Sequence, residues 1–176
     1  MSIFNFYPKI AYKVNSTDYL KAIDITNSIR IRDFFKSNSG IAFRPYVIKD
    51  GERPDSVSYN VYDTVDYDWV ILLVNDMYNI YDDWPKDMES FNTWIEESYD
   101  SISYATSNVK YYYDSKGNII DYTTWQALSS SQRNDESIYQ YELRKNINKS
   151  KIKIVSPQYI TNLDTALKSI LSKPIL

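Results

Sequence analysis

The chain has 176 residues, 20 of them basic and 23 acidic, for a net charge of −3, and it contains neither histidine nor cysteine. This excludes Ser-His-Asp and Cys-His nucleophile systems, His or Cys metal sites and disulfides. With Gly40, Gly51 and Gly117 as the only glycines, no glycine-rich phosphate cradle can form.

In chain order, residues 1–43 read as an N-terminal arm. Ile3, Phe4, Phe6 and Tyr7 form an aromatic-aliphatic plug ahead of Pro8. The stretch from Asp24 to Arg32 ends in apolar-polar alternation, which predicts a short strand after a turn. The arm has apolar side chains to bury but no long amphipathic period, so its support is expected from the rest of the chain or from a neighbour.

The middle of the chain is the best organised. Tyr46 to Lys49 is a strand candidate stopped by Asp50-Gly51, and Pro54 suits the first position of a helix in which Val57 and Val61 lie one turn apart. A second helix is predicted from about Asp66, with Asp66 and Asp68 where the dipole favours acid and Trp69, Leu72 and Leu73 sharing a face. Asn75-Asp76 ends it, and Asn79-Ile80-Tyr81 is read as the return strand.

Pro85 opens a third predicted helix, with Phe91, Ile95 and Tyr99 as its stripe and Trp94 alongside. Val109–Tyr113 and Asn118–Tyr122 flank Gly117 as a hairpin, and Ala127 to Ser137 is the most loop-like stretch. Lys151 to Val155 alternates as a strand with one buried face. Ser156-Pro157 then starts a last helix that carries Ile160, Leu163, Leu167, Ile170 and Leu171 on one side.

Little in this pattern points to chemistry. Arg144, Lys145, Lys149, Lys151 and Lys153 are the densest basic stretch, without glycines or a stacking platform among them, and read as a solvated face rather than a nucleic-acid track. The longest apolar run, Trp69 to Val74, is far short of the roughly 20 residues that span a bilayer. No secretory signal is read in the first eight residues. Asp82, Asp83, Glu89, Glu96 and Glu97, near Trp84 and Trp94, are the nearest approach to a glycosidase carboxylate pair. However, Asp82-Asp83 fall in a predicted turn, and Glu96-Glu97 lie away from their helix's apolar face. Asp63-x-x-Asp66-x-Asp68 lacks the Gly and Glu of an EF-hand loop and reads as helix capping. No cofactor and no metal are expected. What is enriched is aromatic area, with 18 Tyr, 6 Phe and 4 Trp, the residue types over-represented where proteins meet partners.

The strand, Asp-Gly turn, two short helices and closing Asn75 resemble a LysM module. Lys49-Asp50-Gly51-x-Arg53-Pro54, Tyr62 at the end of the first helix and Trp69-Val70 followed by Asn75-Asp76 are similar to the baseplate wedge protein 53 family of T-even-like contractile-tailed phages. So are Phe4-x-Phe6-x-Pro8, Tyr81-x-x-Trp84 and the run Lys151-Ile152-Lys153-Ile154-Val155-x-Pro157-x-Tyr159-Ile160; residues 100–140 offer no motif to set beside these, and their role is left open.

The resemblance implies an α+β fold with an N-terminal arm (1–43), a central LysM-like β-α-α-β module (44–84) and a C-terminal region of hairpin, strand and terminal helix (85–176). It implies a non-enzymatic virion subunit of the tail baseplate, assembled in host cytoplasm. Present in multiple copies, it would clamp neighbouring wedge core bundles together, near the central hub, with other wedge subunits as its partners and neither nucleic acid nor membrane. The expected contacts are Phe4, Phe6 and Tyr7 in the arm, Arg53 and Tyr62 on the module, and Leu163, Leu167 and Ile170 on the last helix. The alternative is a glycan-binding module, whose groove would carry over to Gly51, Glu52, Arg53 and Pro54 on one side and Asn75, Asp76 and Met77 on the other.

Overall fold

The computed structural model describes residues 7–15, 18–24, 28–37 and 41–171, so Phe4 and Phe6, like the side chain of Ile170, lie outside the described residues. The fold is mixed α+β with small sheets. The chain divides into two units: Met1–Ile48, Glu52–Asp83 and Ile152–Leu176 form the first, and Lys49–Gly51 with Trp84–Lys151 the second. The first unit is therefore discontinuous, and the second departs from it after Asp83 and rejoins it at Ile152.

The first unit begins with an antiparallel hairpin of β1 (Lys9–Lys13) and β2 (Tyr19–Ile23), in which Tyr12 faces Leu20 and Ile10 faces Ala22. The strand expected near Arg32 is instead helix α1 (Ser28–Ser37). Its Ile31, Phe34 and Phe35 stand at i, i+3 and i+4, a helical period that outweighs the short alternation before it. Strand β3 (Phe43–Val47) sits slightly earlier than predicted. Pro54 occupies the first turn of α2 (Pro54–Tyr62), which ends on Asp63 in the left-handed region at φ 58°, with the Asp63 N–H donating to Tyr59 O. Thr64 caps a 3₁₀ turn (Val65–Tyr67), and buried Ser58 ties that turn to α2: its hydroxyl donates to Thr64 O at 2.6 Å and accepts from Tyr67 N at 3.2 Å. Helix α3 (Asp68–Val74) follows and buries Trp69, Val70, Ile71 and Val74, with Leu72 and Leu73 half-buried.

The return strand expected at Asn79–Tyr81 does not form. Those residues enter the short helix α4 (Ile80–Asp83), where Asp83 Oδ2 accepts the N–H groups of Tyr78 and Asn79 at 2.8 and 2.9 Å. Ile80 and Tyr81 are exposed and could not serve as the buried face of a sheet. The strand that pairs with β3 comes from much further along the chain, at Lys151–Val155. There Ile152, Ile154 and Val155 are buried while Lys151 and Lys153 face out, which makes it a better partner by the period-two rule. The last helix, Pro157–Leu171, returns its apolar stripe to the same core. Tyr7, Ile31, Phe35, Trp69, Val70, Val74, Val155, Ile160, Leu163 and Leu167 pack as one cluster.

In the second unit, α5 (Met88–Tyr99) and α6 (Ile102–Ser107) bury Phe91, Ile95 and Ala105. The predicted hairpin is present as β4 (Val109–Tyr113) and β5 (Ile119–Ile120), with Gly117 at φ +83° in its turn. Helix α7 (Tyr122–Ala127) leads to the stretch expected to be loop. That stretch instead holds a 3₁₀ turn (Ser130–Gln132) and β6 (Asn134–Ser137), paired antiparallel to β4 with a bulge at Lys110. Helix α8 (Ile138–Lys149), unpredicted, starts in a capping box made by Ser137 and Gln140 and brings Ile138, Tyr139 and Leu143 against the core of this unit. With α8 in place, Lys151–Val155 becomes β7 and Pro157–Leu171 becomes α9.

Candidate functional site

The seven residues of the expected groove have structural work of their own. Gly51, at φ +69°, belongs with Lys49 and Asp50 to the second unit, where Asp50 Oδ1 accepts the Met88 N–H at 3.1 Å. In the first unit, Glu52 Oε1 accepts from the Tyr46 hydroxyl at 2.8 Å and from Asn60 Nδ2 at 2.9 Å. Arg53 precedes α2 and reaches Asp55 at 3.3 Å while staying largely in solvent, and Pro54 is buried. Asn75 Nδ2 donates to Ile71 O and Lys153 O, both at 2.8 Å, and Asn75 Oδ1 accepts from Lys153 N at 3.0 Å. Asp76, at φ 55°, pairs with Lys36 at 2.8 Å, and the Met77 N–H donates to Leu72 O at 2.9 Å. Both amide hydrogens of Asn75 are therefore committed to backbone, which leaves it one lone pair of Oδ1 and no donor to offer a sugar.

The expected contact residues separate in the same way. Tyr7, Leu163 and Leu167 are buried in the chain's own core, which corrects the reading of the last helix as an outward stripe. Burial pushes the Tyr7 phenol pKa up. Tyr62 is half-buried; its hydroxyl donates to Val155 O at 2.9 Å, its ring meets Tyr67 edge-on at 5.8 Å, and burial raises its pKa well above the ordinary phenol value. Arg53 alone of the described candidates remains on the surface.

The most conspicuous surface was missed by sequence reasoning. The β1–β2 hairpin exposes Ile10, Tyr12, Val14 and Leu20 at 46, 48, 54 and 53 %. Its registration puts Ile10, Tyr12, Leu20 and Ala22 on one face, and Lys9, Ala11, Lys13, Tyr19, Lys21 and Ile23 on the other. The signal was present: Ile10, Tyr12 and Val14 alternate, and Asn15 opens a turn by accepting the Asp18 N–H at 2.7 Å.

Of the carboxylates considered for catalysis, Asp82 and Asp83 brace the chain around α4. Asp83 holds the start of α4, Asp82 accepts from Asn79 Nδ2 at 2.5 Å, and Trp84 is buried rather than presented for stacking. Where carboxyl pKa values move, they move down: Asp87, Asp114 and Asp121 through hydrogen bonds donated by Ser90, Asn118 and Thr124, and Glu136 mainly through Arg144. A general acid needs the opposite shift. Among the described residues no cluster of Asp and Glu is arranged to hold a metal, and no helix is long and apolar enough to cross a membrane. The rings that crowd the composition largely brace the second unit. Tyr111 and Tyr141 meet at 5.3 Å, Tyr112 and Trp125 at 5.0 Å, and the hydroxyls of Tyr99 and Tyr113 donate to Glu142 and Glu136.

Comparison with known proteins first gives the class: a structural protein of the phage tail baseplate. The profile of Base plate wedge protein 53 matches residues 2–151, and the chain belongs to that family. It is 30% identical over 91 residues to Baseplate wedge protein gp53 of Enterobacteria phage T4, an alignment covering 50% of this chain and 46% of that protein. The match thus spans about half the length of the curated relative. The family match includes residues 100–140 and ends at residue 151, the first residue of β7, so the rest of the run Lys151 to Ile160 lies outside it.

Proposed function

We propose that this chain joins neighbouring baseplate wedges by protein–protein contacts, clamping their core bundles close to the central hub in several symmetry-related copies. Family membership supports a wedge role, and the observation that carries the joining role is the uncovered apolar hairpin. A self-sufficient domain would cover Ile10, Tyr12, Val14 and Leu20, whereas a subunit keeps such surface for its neighbours. The test is reconstitution of the phage's purified wedge proteins with and without this chain. Wedges that join into rings equally well in its absence would overturn the proposal. Replacing both Phe4 and Phe6 by Ala should leave both units folded and impair joining; normal joining would remove the N-terminal plug from the contact surface.

The order β3, α2, α3, β7 supports a LysM-like core whose βαα part runs from Phe43 to Val74 and whose closing strand follows the second unit in sequence. For such a module in a wedge, protein is the expected partner of the Arg53 surface. Titration with chitin and peptidoglycan fragments should give no saturable binding, and binding abolished by Arg53→Ala would favour the glycan reading instead.

A further inference from the structure

We infer that the β1–β2 hairpin is an insertion finger that enters a cleft of another baseplate wedge protein, one with an apolar wall and a wall of carboxylates. The inference rests on the wedge reading above and specifies the contact. Hydrogen bonds from Val14 N to Asp18 O and from Asp24 N to Pro8 O frame the hairpin at 3.0 and 2.9 Å. By antiparallel alternation, residues 10 and 12 pair inward with 22 and 20. The outward-pointing backbone groups then belong to Lys9, Ala11 and Lys13 on one edge and to Tyr19, Lys21 and Ile23 on the other.

Both edges therefore carry lysine, which discourages strand-to-strand pairing and leaves the faces as the docking elements. One face, Ile10, Tyr12, Leu20 and Ala22, is free of charge, and the other sets three lysines among Ala11, Tyr19 and Ile23, none of the lysines ion-paired among the described residues. The root is fixed, because Tyr7, two residues before β1, is packed into the core of the first unit.

Area and charge select the occupant. Two copies packed apolar face to apolar face would bury about 400 Å² each, half of the roughly 800 Å² per partner typical of a stable interface. Such a pair would also leave all six lysines unanswered. A cleft that receives both faces roughly doubles the buried area, and the locally basic finger, on a chain of net charge −3, calls for carboxylates opposite Lys9, Lys13 and Lys21.

The test uses the full chain immobilised against the purified wedge complex lacking it, at low and high salt. Tyr12→Asp with Leu20→Asp should weaken binding by about 30-fold or more. Lys9→Glu, Lys13→Glu and Lys21→Glu together leave the apolar face intact, and should slow association about 10-fold and reverse its salt dependence. Both variants should keep the thermal unfolding of the wild type, since none of these side chains lies in the core cluster. Wild-type binding by both variants overturns the finger while leaving the wedge reading intact; no binding by the wild type overturns the wedge reading itself. Self-association of the wild type that the aspartates abolish, or capture by phosphatidylserine vesicles in place of the wedge, would also overturn it, in favour of a second copy or a lipid surface.

Discussion

The side chain of Asn75 bonds to both backbone groups of Lys153, 78 positions further along the chain, accepting from its N–H at 3.0 Å and donating to its carbonyl at 2.8 Å. An amide here acts as a one-residue strand, satisfying the side of β7 that β3 does not. Asn75→Ala should cost about 1–3 kcal/mol. Asn75→Asp should cost more, because it sets an acceptor against the carbonyls of Ile71 and Lys153. Lys153→Ala should cost less than either, since only its stacking over Phe43 at 5.2 Å is lost. Urea unfolding of the full chain checks the order; equal losses for all three would contradict it.

Helix α9 closes the core. Leu167 is fully buried, and Leu167→Ala should cost about 2–5 kcal/mol. Ending the chain at residue 151 should strip hydrogen-exchange protection from α2 and α3 while α5 and α8 keep theirs, because the core of the second unit draws nothing from the lost segment.

Alkali should unfold the first unit. Burial and then the Glu52 carboxylate that accepts its hydroxyl push the Tyr46 phenol up to about 12. A raised phenol means that the folded state holds its proton where the unfolded state has released it. The resulting stability is complete below pH 10 and is lost as pH climbs toward 12. Tyr46→Phe should make the fall of the urea midpoint between pH 10 and 12 shallower, the rest of the fall coming from Tyr62, whose raised phenol acts over the same range and beyond it.

Acid acts on the second unit with the opposite sign. Arg144 holds Glu136 below its ordinary value of 4.5 through bonds of 2.7 and 2.9 Å, and Tyr113 adds a third at 2.7 Å. This stability is present above pH 4.5 and disappears as pH falls through the lowered folded value. Glu136→Gln should therefore weaken the unit at pH 7, with the difference from wild type shrinking as pH falls below 4.5, as followed by near-ultraviolet circular dichroism.

The elements with strong local chemistry were legible in the sequence. Pro54 and Pro157 marked helix starts, Gly117 marked the β4–β5 turn, and Phe91 with Ile95 marked the buried face of α5. The failures are of other kinds. Ile152 and Ile154 announced a strand, yet nothing local says that its partner lies at Phe43–Val47, and the nearer Asn79–Tyr81 took that place in the reading. Ser137 and Gln140 spelled the capping box of α8 but were hidden in a serine-rich stretch. Asn75 was read as a cap; that its amide grips Lys153 is a tertiary fact. The finger hairpin was passed over because its strands expose apolar residues, a pattern that makes sense only with a neighbour in mind.

The discontinuity of the first unit sets an order of events on the ribosome. Tyr7, which roots the finger, packs in one cluster with Val155, Leu163 and Leu167, so the finger has no seat until the last helix has left the exit tunnel. The intervening 68-residue stretch, Trp84–Lys151, can collapse on its own core while the opening residues wait. A copy that lacks α9 therefore lacks the side chains that hold Tyr7, and with it the root of the finger, in the core.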